Sequence, residues 1–413
     1  MVDNLNVFTL NPQGGLASEN RPEIEILLCC ARTRMDANTA RRIEALLDGD
    51  IDWNYLFRTA IKNEVTPLLY WHLKDIKSEI VPQLVLDQLQ SYFLNNARRN
   101  LMRTGELLKL LDLFDTNKIP AVALRGPVFS SAVMGNIALR EFQDLDILVR
   151  KQDVLKAKDI ILSMGYVFLF KLAPSQEAAL LQYECEYHFE HKEADIALEI
   201  LWEISPKHLP PPINLERLWE RLGTVTLSGE EILALSPEDL LLILCIHHSK
   251  HCWDRLRLIC DIAELIRVHQ EIDWIKAINE TKRMGSERIF FLGLYLASDL
   301  LGTELPEKVA QSLEADPAVK SLAGNVVKQL FRHDNHPLGT LKKSYFHFKL
   351  LENFKDKVLY CLYRAIGPTI LEFELFKLPR ALYFLYYLIK PLRLLGKYGA
   401  ILLTNKKDFQ RSF

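Results

Sequence analysis

Length, composition and charge set the limits within which this chain must fold. With 413 residues it exceeds the usual size of a single hydrophobic core, so we expect two or three packed units. The 49% hydrophobic and 25% charged residues are ordinary for a globular protein and exclude extensive disorder. A formal charge of −2 gives no reason to expect a specific nucleic-acid partner.

The cysteines and the apolar runs indicate a cytoplasmic protein. Seven cysteines are present, an odd number without the spacing of a disulfide framework, which is typical of a reducing compartment. The most apolar stretch, Ala381 to Ile389, is only nine residues long before charged residues and proline interrupt it. A helix that spans a bilayer needs roughly 20 such residues. We therefore expect no transmembrane helix.

Changes of pattern along the chain predict five segments in an α+β protein. Residues 1–20 are polar and predict a flexible leader. Residues 21–104 predict an N-terminal helical domain, because apolar residues recur at three- and four-residue spacing. Residues 105–230 predict a core that contains a sheet, and residues 231–300 a second helical domain. Residues 301–413 predict a C-terminal helical region that ends in a basic aromatic tail.

The core is predicted to follow the order strand, helix, strand, helix, strand. Ala121 to Leu124 is a short apolar run that ends at Arg125-Gly126-Pro127, as a buried strand entering a tight turn does. Asp144 to Val149 alternates acidic and apolar residues before it closes on aliphatics, which predicts a strand with one reactive face. Val154 to Met164 predicts a helix, and Ile196 to Trp202 predicts the third strand.

Asp144 and Asp146 are the candidate metal ligands and catalytic residues. Side chains two residues apart on a strand point to the same face, so these carboxylates share one. Mg²⁺ prefers oxygen ligands and commonly bridges carboxylates to substrate phosphates, which makes the pair half of a site. Glu199 is the candidate third ligand, because it interrupts an otherwise apolar strand. The alternatives are a solvated acidic face for the pair and an acid at a strand edge for Glu199.

The turn after the first strand is the candidate nucleotide-binding element. Gly126 would let the backbone approach a triphosphate, and the helix that follows would present its free N–H groups to the phosphates. Arg125 and Arg140 would offset phosphate charge, or else form structural ion pairs. Two further candidates would donate from hydroxyl groups, unless they only begin the helix: Ser130 and Ser131.

Together these residues predict a metal-dependent nucleotidyltransferase. An acceptor oxygen would attack the α-phosphorus of a nucleoside triphosphate in line, one metal ion activating the acceptor and a second binding the triphosphate, and pyrophosphate would leave. The expected ion is Mg²⁺, with Mn²⁺ as the substitute, and the acceptor is a small molecule or a protein hydroxyl. The alternatives are a catalytically degenerate module that binds nucleotide or a biosynthetic partner without turnover, and a phosphotransferase.

The chain resembles a known family in the order and spacing of its motifs. The motifs are Leu124-Arg125-Gly126-Pro127, Arg140, Asp144 to Val149, Gly165-Tyr166, Leu198 to Trp202, Leu235 to Leu240, His247, His251 and Asp273-Trp274. Over roughly residues 105–300 the chain is similar to the uncharacterised bacterial nucleotidyltransferase family of the polymerase-beta-like superfamily. The resemblance implies a small mixed sheet flanked by helices, and the use of magnesium and a nucleoside triphosphate. It also implies metal ligands at Asp144, Asp146 and Glu199.

Three positions depart from the pattern of these relatives. Arg125 stands where the family often has Lys, which keeps the charge but changes its geometry. Leu201 stands two residues after the third acid, where the family often has His, so neither proton transfer nor metal binding is expected there. The wider superfamily usually has Gly-Ser where this chain has Gly126-Pro127, so the contact with the phosphates is expected to differ.

Residues 245–252 combine cysteines and histidines on a predicted helix. His247 and His251, and likewise His248 and Cys252, are four residues apart and would share a helix face. A zinc site is one interpretation, although the spacing is not that of a standard zinc motif. The second is that His247 or His251 faces the nucleotide. The third is core packing or a hydrogen bond between helices, and we favour this one.

The last segment of the chain mixes aromatic and basic residues. From Leu341 to Phe413 there are 14 Lys and Arg residues against 5 Asp and Glu residues, a net charge of +9. The stretch from Leu378 to Leu403 can lie on an anionic membrane surface or hold a protein partner. It can equally be an ordinary helix that covers the core and extends its cations into solvent.

Overall fold

Helices lie on both sides of one small mixed sheet. The computed structural model describes residues 7–8, 21–76, 80–170, 174–205, 213–332 and 339–396. The α+β class and the small sheet flanked by helices, which the sequence predicted, are confirmed. Within the predicted leader, Val7–Phe8 (β1) form a short strand antiparallel to Leu305–Pro306. The remainder of residues 1–20 lies outside the described residues.

Five of the described helices form the N-terminal part of the chain. They are α1 (Pro22–Cys30), α2 (Ala37–Leu47), α3 (Trp53–Lys62), α4 (Thr66–Leu73) and α5 (Gln83–Thr116). Asp36 and Asp52 begin α2 and α3, because each side chain accepts hydrogen bonds from free backbone N–H groups of the first turn. The predicted helices of this part are confirmed. Helix α5 runs unbroken through residues 104–105, so the N-terminal helices and the sheet share it.

The sheet has five strands among the described residues. They are β2 (Ala121–Ala123), β3 (Asp144–Val149), β4 (Val167–Phe168), β5 (Glu186–His191) and β6 (Ile196–Leu201). Their order is β2-β3-β6-β5-β4, with β3 and β6 parallel and the other neighbours antiparallel. Strands β2, β3 and β6 confirm the three predicted strands. Strands β4 and β5 were not predicted: β4 has only two residues, and β5 contains no β-branched residue, although its polar and aromatic residues alternate.

Helices and a hairpin connect the strands and lead out of the sheet. They are α6 (Pro127–Ala132), α7 (Val154–Ser163), α8 (Pro174–Tyr183), α9 (Leu215–Trp219), β7 (Gly223–Leu227) and β8 (Glu230–Ala234). Helix α7 confirms the helix that was predicted between the second and third strands. Strands β7 and β8 form an antiparallel hairpin, with a turn at Ser228 and Gly229 in which both residues have positive φ.

The second half of the chain is helical. Its elements are α10 (Pro237–Lys250), α11 (Leu256–Val268), α12 (Trp274–Met284), α13 (Glu287–Leu301), β9 (Leu305–Pro306), α14 (Glu307–Glu314) and α15 (Pro317–Leu330). The C-terminal elements are α16 (Thr340–Leu350), α17 (Phe354–Ile366), α18 (Ile370–Leu375), a short 3₁₀ helix (Arg380–Leu385) and a terminal helix at residues 386–396. Ser236 begins α10, because its side chain accepts a hydrogen bond from the Asp239 N–H. No helix in the described ranges is long and apolar enough to cross a membrane.

The two faces of the sheet pack against different parts of the molecule. On one face, aliphatic residues of β3 and β6 join a hydrophobic cluster with α5 and α7. On the other face, Leu148 and Leu201 join the cluster formed by the surrounding helices, including α10, α11 and α13. Asp146 and Glu199 precede these two leucines by two residues. The side chains of Asp146 and Glu199 therefore lie on the same face as these leucines, the one that packs against α10, α11 and α13.

A buried ion pair joins the loop before β3 to helix α11. Arg140 donates from Nε and Nη2 to the two carboxylate oxygens of Asp261, at 2.8 Å each, and both side chains are almost fully buried. Burial acts to raise the pKa of Asp261, but the charge and hydrogen bonds of Arg140 outweigh it and hold that pKa far below its ordinary value. The pair therefore fixes the loop that leads into the acidic strand.

Replacing Arg140 with Met should lower the free energy of unfolding by about 3–5 kcal/mol, because it leaves the Asp261 carboxylate buried without its closest partner. The same replacement at Arg150, whose ion pair with Glu216 is far more exposed, should lower the free energy of unfolding by less than about 1 kcal/mol. Urea unfolding measures both. Equal losses in the two variants would contradict the assignment.

The same pair should make stability depend on pH. Because the pKa of Asp261 is lower in the folded than in the unfolded chain, its contribution is present above the unfolded value of about 4 and is lost as pH falls below it. The difference in unfolding free energy between wild type and Arg140→Met should therefore narrow at low pH. Urea titrations at a series of pH values measure this difference.

Candidate active site

The parallel pairing of β3 with β6 brings three carboxylates together. Asp146 and Glu199 are direct neighbours in this pairing, and Asp144 lies two residues before Asp146 on the same face. One ligand oxygen from each of the three side chains lies within 4.8 Å of the other two. The sequence predicted that these acids would converge, and the geometry agrees.

The chemistry of this donor set fits a divalent cation. Two oxygens on opposite sides of one Mg²⁺ ion lie about 4 Å apart, so small side-chain movements would bring these carboxylates into coordination distance. Asp146 is 4% exposed. Burial raises the pKa of Asp146 to about 7 despite Arg125, and the nearby charges of Asp144 and Glu199 add to the rise. The ionised form of Asp146 is therefore disfavoured by burial and by repulsion from the two neighbouring carboxylates. A bound cation would offset this repulsion.

Glu199 is held in its ionised form by a histidine of the neighbouring strand. His188 on β5 lies directly opposite Glu199, and its Nδ1 is 3.1 Å from Oε1. Burial acts to raise the pKa of Glu199, but the hydrogen bond and charge of His188, followed by the charge of Arg125, lower it to about 2. His188 was not predicted as a site residue, because β5 was not predicted as a strand. Its signal was the alternation of Glu186, His188 and Glu190 along that strand.

Leu201, two residues after Glu199, where the resemblance led us to compare it with a histidine, is buried in the core. An imidazole is nevertheless present beside the third acid, because His188 supplies it from the adjacent strand.

Arg125 is the direct counter-charge of Asp146. Its Nη2 lies 2.6 Å from Asp146 Oδ1, and both side chains are buried. Burial acts to lower the pKa of Arg125, but the charges of Asp146 and Asp144 outweigh it and raise that pKa above its ordinary value. Of the two interpretations of Arg125, the ion pair is therefore present in the structure. The residue also lines the cavity next to the acids, so contact with a phosphate is compatible with this position.

The turn at Gly126 lies against the acidic strand. Gly126 has φ +61° and ψ −124°, a backbone conformation that favours glycine, and it lines the cavity. Ser130 does not face the cavity, contrary to the expectation from sequence. It is fully buried, and its hydroxyl donates to the Gly126 carbonyl at 2.8 Å. Ser131 is half-buried and is not among the residues that line the cavity. Ser130 therefore supports the turn from behind.

Arg140 also differs from its predicted role. Although Arg140 lines the cavity, its Nε and Nη2 are both engaged by Asp261. The structural ion pair, which was the alternative interpretation, describes this residue better than an arginine free to offset phosphate charge.

Helices α10 and α11 and the turn between them form the opposite wall of the cavity, which has a volume of about 330 Å³. The residues that they contribute include His247, Lys250, His251, Arg255 and Arg257. Lys250 Nζ lies 3.6 Å from Glu186 Oε2, and Arg257 Nε lies 2.7 Å from Glu64 Oε2. This wall puts positive charge across the cavity from the carboxylates, where an anionic substrate would be attracted. The three cations were missed, because nothing in the sequence separates them from ordinary surface residues.

The histidine cluster divides between the cavity and the core. His247 and His251 line the cavity with their ring centroids 4.8 Å apart, which fits the nucleotide-facing interpretation. Burial, followed by the charge of Arg125, lowers the pKa of His251 to about 3, so this imidazole is neutral. His248 is fully buried and lies 3.5 Å from Asp261, which fits core packing. Across the described ranges, the acid triad is the one group of three or more ligating side chains that could hold a metal, so zinc binding gains no support.

Comparison with known proteins agrees with this geometry. The profile of a family described as uncharacterised nucleotidyltransferase matches residues 49–302, which is more than half of the chain and includes every candidate site residue. No curated protein is significantly similar to the chain. On the strength of the family match, this chain belongs to the uncharacterised nucleotidyltransferase family.

Proposed function

We propose that this chain is a metal-dependent enzyme that transfers a nucleoside monophosphate from a nucleoside triphosphate to a hydroxyl of a small molecule or protein. Membership of the family supports nucleotidyl transfer in general. The observation that carries the specific proposal is the convergence of the Asp144, Asp146 and Glu199 oxygens on one wall of a cavity. Oxygen ligands of this kind suit Mg²⁺ or Mn²⁺.

Each residue of the site would have a distinct task. Asp144, Asp146 and Glu199 would hold one or two divalent ions, which when bound stabilise charge on the phosphates and lower the pKa of the acceptor hydroxyl. Arg125 orients Asp146 through the ion pair, and the turn at Gly126 allows phosphate to approach the backbone. The acceptor oxygen would form its bond to the α-phosphorus while the bond to pyrophosphate breaks.

Metal binding can be tested apart from turnover. Titration with Mn²⁺, followed by electron paramagnetic resonance, should show binding to wild type and at least about ten-fold weaker binding to Asp146→Asn, because one ligand loses its charge. Asp159→Asn is the matched control, since Asp159 is exposed on α7. It should bind like wild type. If Asp146→Asn bound Mn²⁺ as tightly as wild type, the metal site would be assigned wrongly.

The reaction can be tested with labelled nucleotide. Wild type incubated with Mg²⁺ and α-labelled ATP, GTP, CTP or UTP should transfer the label to an acceptor, and Asp146→Ala should lose at least about a hundred-fold of this rate. Asp159→Ala should keep the rate. Transfer of a γ-label instead would show a phosphotransferase, and transfer that survives in Asp146→Ala would refute the proposed site.

A second candidate function is a degenerate module that binds nucleotide or a biosynthetic partner without turnover. The observation that favours it is the close ion pair between Arg125 and Asp146, because the guanidinium competes with a metal ion for the same carboxylate. Calorimetric titration with nucleotide and Mg²⁺ separates the two cases. Binding without product from any acceptor would favour the module, and turnover would exclude it.

We also propose that the basic tail contacts an anionic membrane surface. In the terminal helix a lysine is buried, whereas three leucines are exposed to solvent. Lys390 is buried and donates to the carbonyl oxygens of Gly367 and Tyr363, at 2.6 and 3.3 Å, and Arg393 donates to Glu372 at 2.6 Å. Both cations are engaged by polar groups of the chain, which supports an interpretation other than an ordinary covering helix with freely solvated cations. The part of the tail from residue 397 onward lies outside the described residues.

The outward faces of this region are apolar. Leu388, Leu392 and Leu395 are 59%, 68% and 70% exposed on one side of the terminal helix, and Phe354 of α17 is 80% exposed. More than half of the exposed large hydrophobic side chains of the described chain lie in residues 341–396. Apolar faces of this extent, in a region whose full span from Leu341 to Phe413 carries a net charge of +9, suit a surface that combines an apolar layer with negative headgroups. A cytoplasmic location, which seven free cysteines support, would expose them to the anionic inner leaflet.

Vesicle sedimentation tests this contact. Wild type should bind vesicles that contain phosphatidylglycerol more tightly than phosphatidylcholine vesicles, and Leu392→Glu should reduce the bound fraction several-fold. Ile275→Glu is the matched control, because Ile275 is 76% exposed on α12, outside the tail. Absence of vesicle binding by wild type, or self-association that Leu392→Glu abolishes without lipid, would refute the membrane contact.

A further inference from the structure

A second cavity lies beside the candidate active site. It has a volume of about 390 Å³, within the range of small-molecule sites, and lies between helix α5, the loop before β3 and the β5–β6 hairpin. Phe142 and Gln143 line both this cavity and the one that contains the acids. Asp144, a candidate metal ligand, is the next residue along the chain. A molecule in the second cavity would therefore reach toward the acid triad across Phe142 and Gln143.

The unusual group in this cavity is Arg103 of α5. Its side chain lines the cavity, and the residue is only 7% exposed. Nη1 donates to the Phe142 carbonyl at 3.1 Å, but Nε has no hydrogen-bond partner among the described residues. Nor does any described carboxylate form an ion pair with Arg103. A buried guanidinium without an anion is costly, and most buried arginines have a carboxylate beside them.

Burial, followed by the charge of Arg99, lowers the pKa of Arg103; the charges of Asp195 and Asp144 oppose this, but neither carboxylate forms an ion pair with it. Glu141 also lines the cavity, but its Oε2 accepts a hydrogen bond from the Tyr92 hydroxyl at 2.7 Å. Burial raises the pKa of Glu141 to about 7, so this carboxyl is a weak counter-charge near neutral pH. Arg99, one turn before Arg103, adds a second positive group at the rim. The two arginines, four residues apart on α5, thus give the cavity two positive groups.

The cavity also carries hydrogen-bond acceptors. Glu190 of β5 and Asp195, in the turn between β5 and β6, both line it. Carboxylates in these positions can accept hydrogen bonds from hydroxyl or amino groups of a ligand. The cavity therefore offers both cations and acceptors, which suits a small hydroxylated molecule with a negative group.

We propose that this second cavity is the acceptor site, and that the acceptor is a small hydroxylated oxyanion whose carboxylate or phosphate pairs with Arg103. The proposal rests on the proposed function. The acceptor hydroxyl, directed past Gln143 toward Asp144, forms the new bond to the α-phosphorus. Its proton is released to solvent, and the bond to pyrophosphate breaks with both electrons staying on the pyrophosphate. This assignment favours a small molecule over a protein as acceptor.

Binding without nucleotide is the first part of the test. Calorimetric titration of the full chain with glycerol 3-phosphate, glycerate and glycerol should show binding of one or both oxyanions and none of glycerol. Comparison of the two oxyanions distinguishes a phosphate from a carboxylate. Arg103→Gln should weaken oxyanion binding about ten-fold or more, because a charge-assisted hydrogen bond is lost. Arg98→Gln is the matched control, since Arg98 is exposed on the same helix and does not line the cavity.

A second variant and a stability measurement separate this role from a purely structural one. Arg99→Gln removes the exposed cation at the rim without touching the buried carbonyl contact, and it should weaken oxyanion binding about two- to five-fold. Without ligand, the urea midpoint of Arg103→Gln should equal or exceed that of wild type, because an unpaired buried charge is removed. A large fall in that midpoint, with oxyanion binding unchanged in Arg99→Gln, would show that Arg103 only supports the Phe142 loop.

Label transfer then separates the two proposals. Transfer from α-labelled ATP to a bound oxyanion in wild type, with an increased KM for that acceptor in Arg103→Gln and an unchanged Kd for Mg-ATP, would support both. Transfer that does not depend on Arg103 or Arg99, or failure of every oxyanion to bind, would overturn the acceptor site and leave the proposed function standing. Oxyanion binding that depends on Arg103, without transfer to any acceptor, would overturn the proposed function, and the acceptor assignment with it.

Discussion

The parallel pairing of β3 with β6 is the constraint on which the site depends. It sets Asp146 opposite Glu199 on the face of the sheet that meets the helices, and the alternation of side chains adds Asp144. The same alternation sends Leu148 and Leu201 into the helical core a short distance along the strands. The register of this one strand pair thus places the acids at one end of the face and the leucines that pack into the helical core at the other. A shift by one residue in either strand would move its acids to the opposite face.

The concentration of acids requires compensation, and the surrounding elements provide it. Arg125, in the turn that follows β2, pairs with Asp146, and His188, on β5, holds Glu199 ionised. These partners come from either side of strands β3 and β6, so the counter-charges are supplied from next to the acids. Helices α10 and α11 add a positive wall across the cavity. The result is a cleft with opposite charges on its two walls, suited to a metal ion on one side and phosphate on the other.

Two buried arginines of this protein differ in whether the described residues provide a carboxylate partner for them. Arg140 and Asp261 satisfy each other with two hydrogen bonds, so their pair fastens the loop to a helix. Arg103 receives one carbonyl and no carboxylate from the described residues, although it lies close to the same loop. The Arg140–Asp261 pair is complete within the chain, whereas Arg103 is left able to pair with an anion from outside the chain, as we propose. The contrast explains why two buried arginines near one loop have different roles in our proposals.

Local pattern determined much of this protein from the sequence. The alternation in Asp144 to Val149 and the single acid in Ile196 to Leu201 predicted strands with acids on one face, and Ser236 marked the start of α10. These features depend on backbone periodicity and on hydrogen bonds between residues close in the chain, which the sequence displays directly.

Tertiary structure alone decided which distant residues meet. The sequence made Arg140 a candidate for phosphate binding, but in the structure it pairs with Asp261, 121 residues away. It also made Ser130 a candidate donor to phosphate, but the Ser130 hydroxyl donates to the Gly126 carbonyl instead. His188 acquired its position beside Glu199 only through the pairing of β5 with β6. Such contacts depend on how separate elements pack and pair across space, and periodicity within each element carries no information about its neighbour.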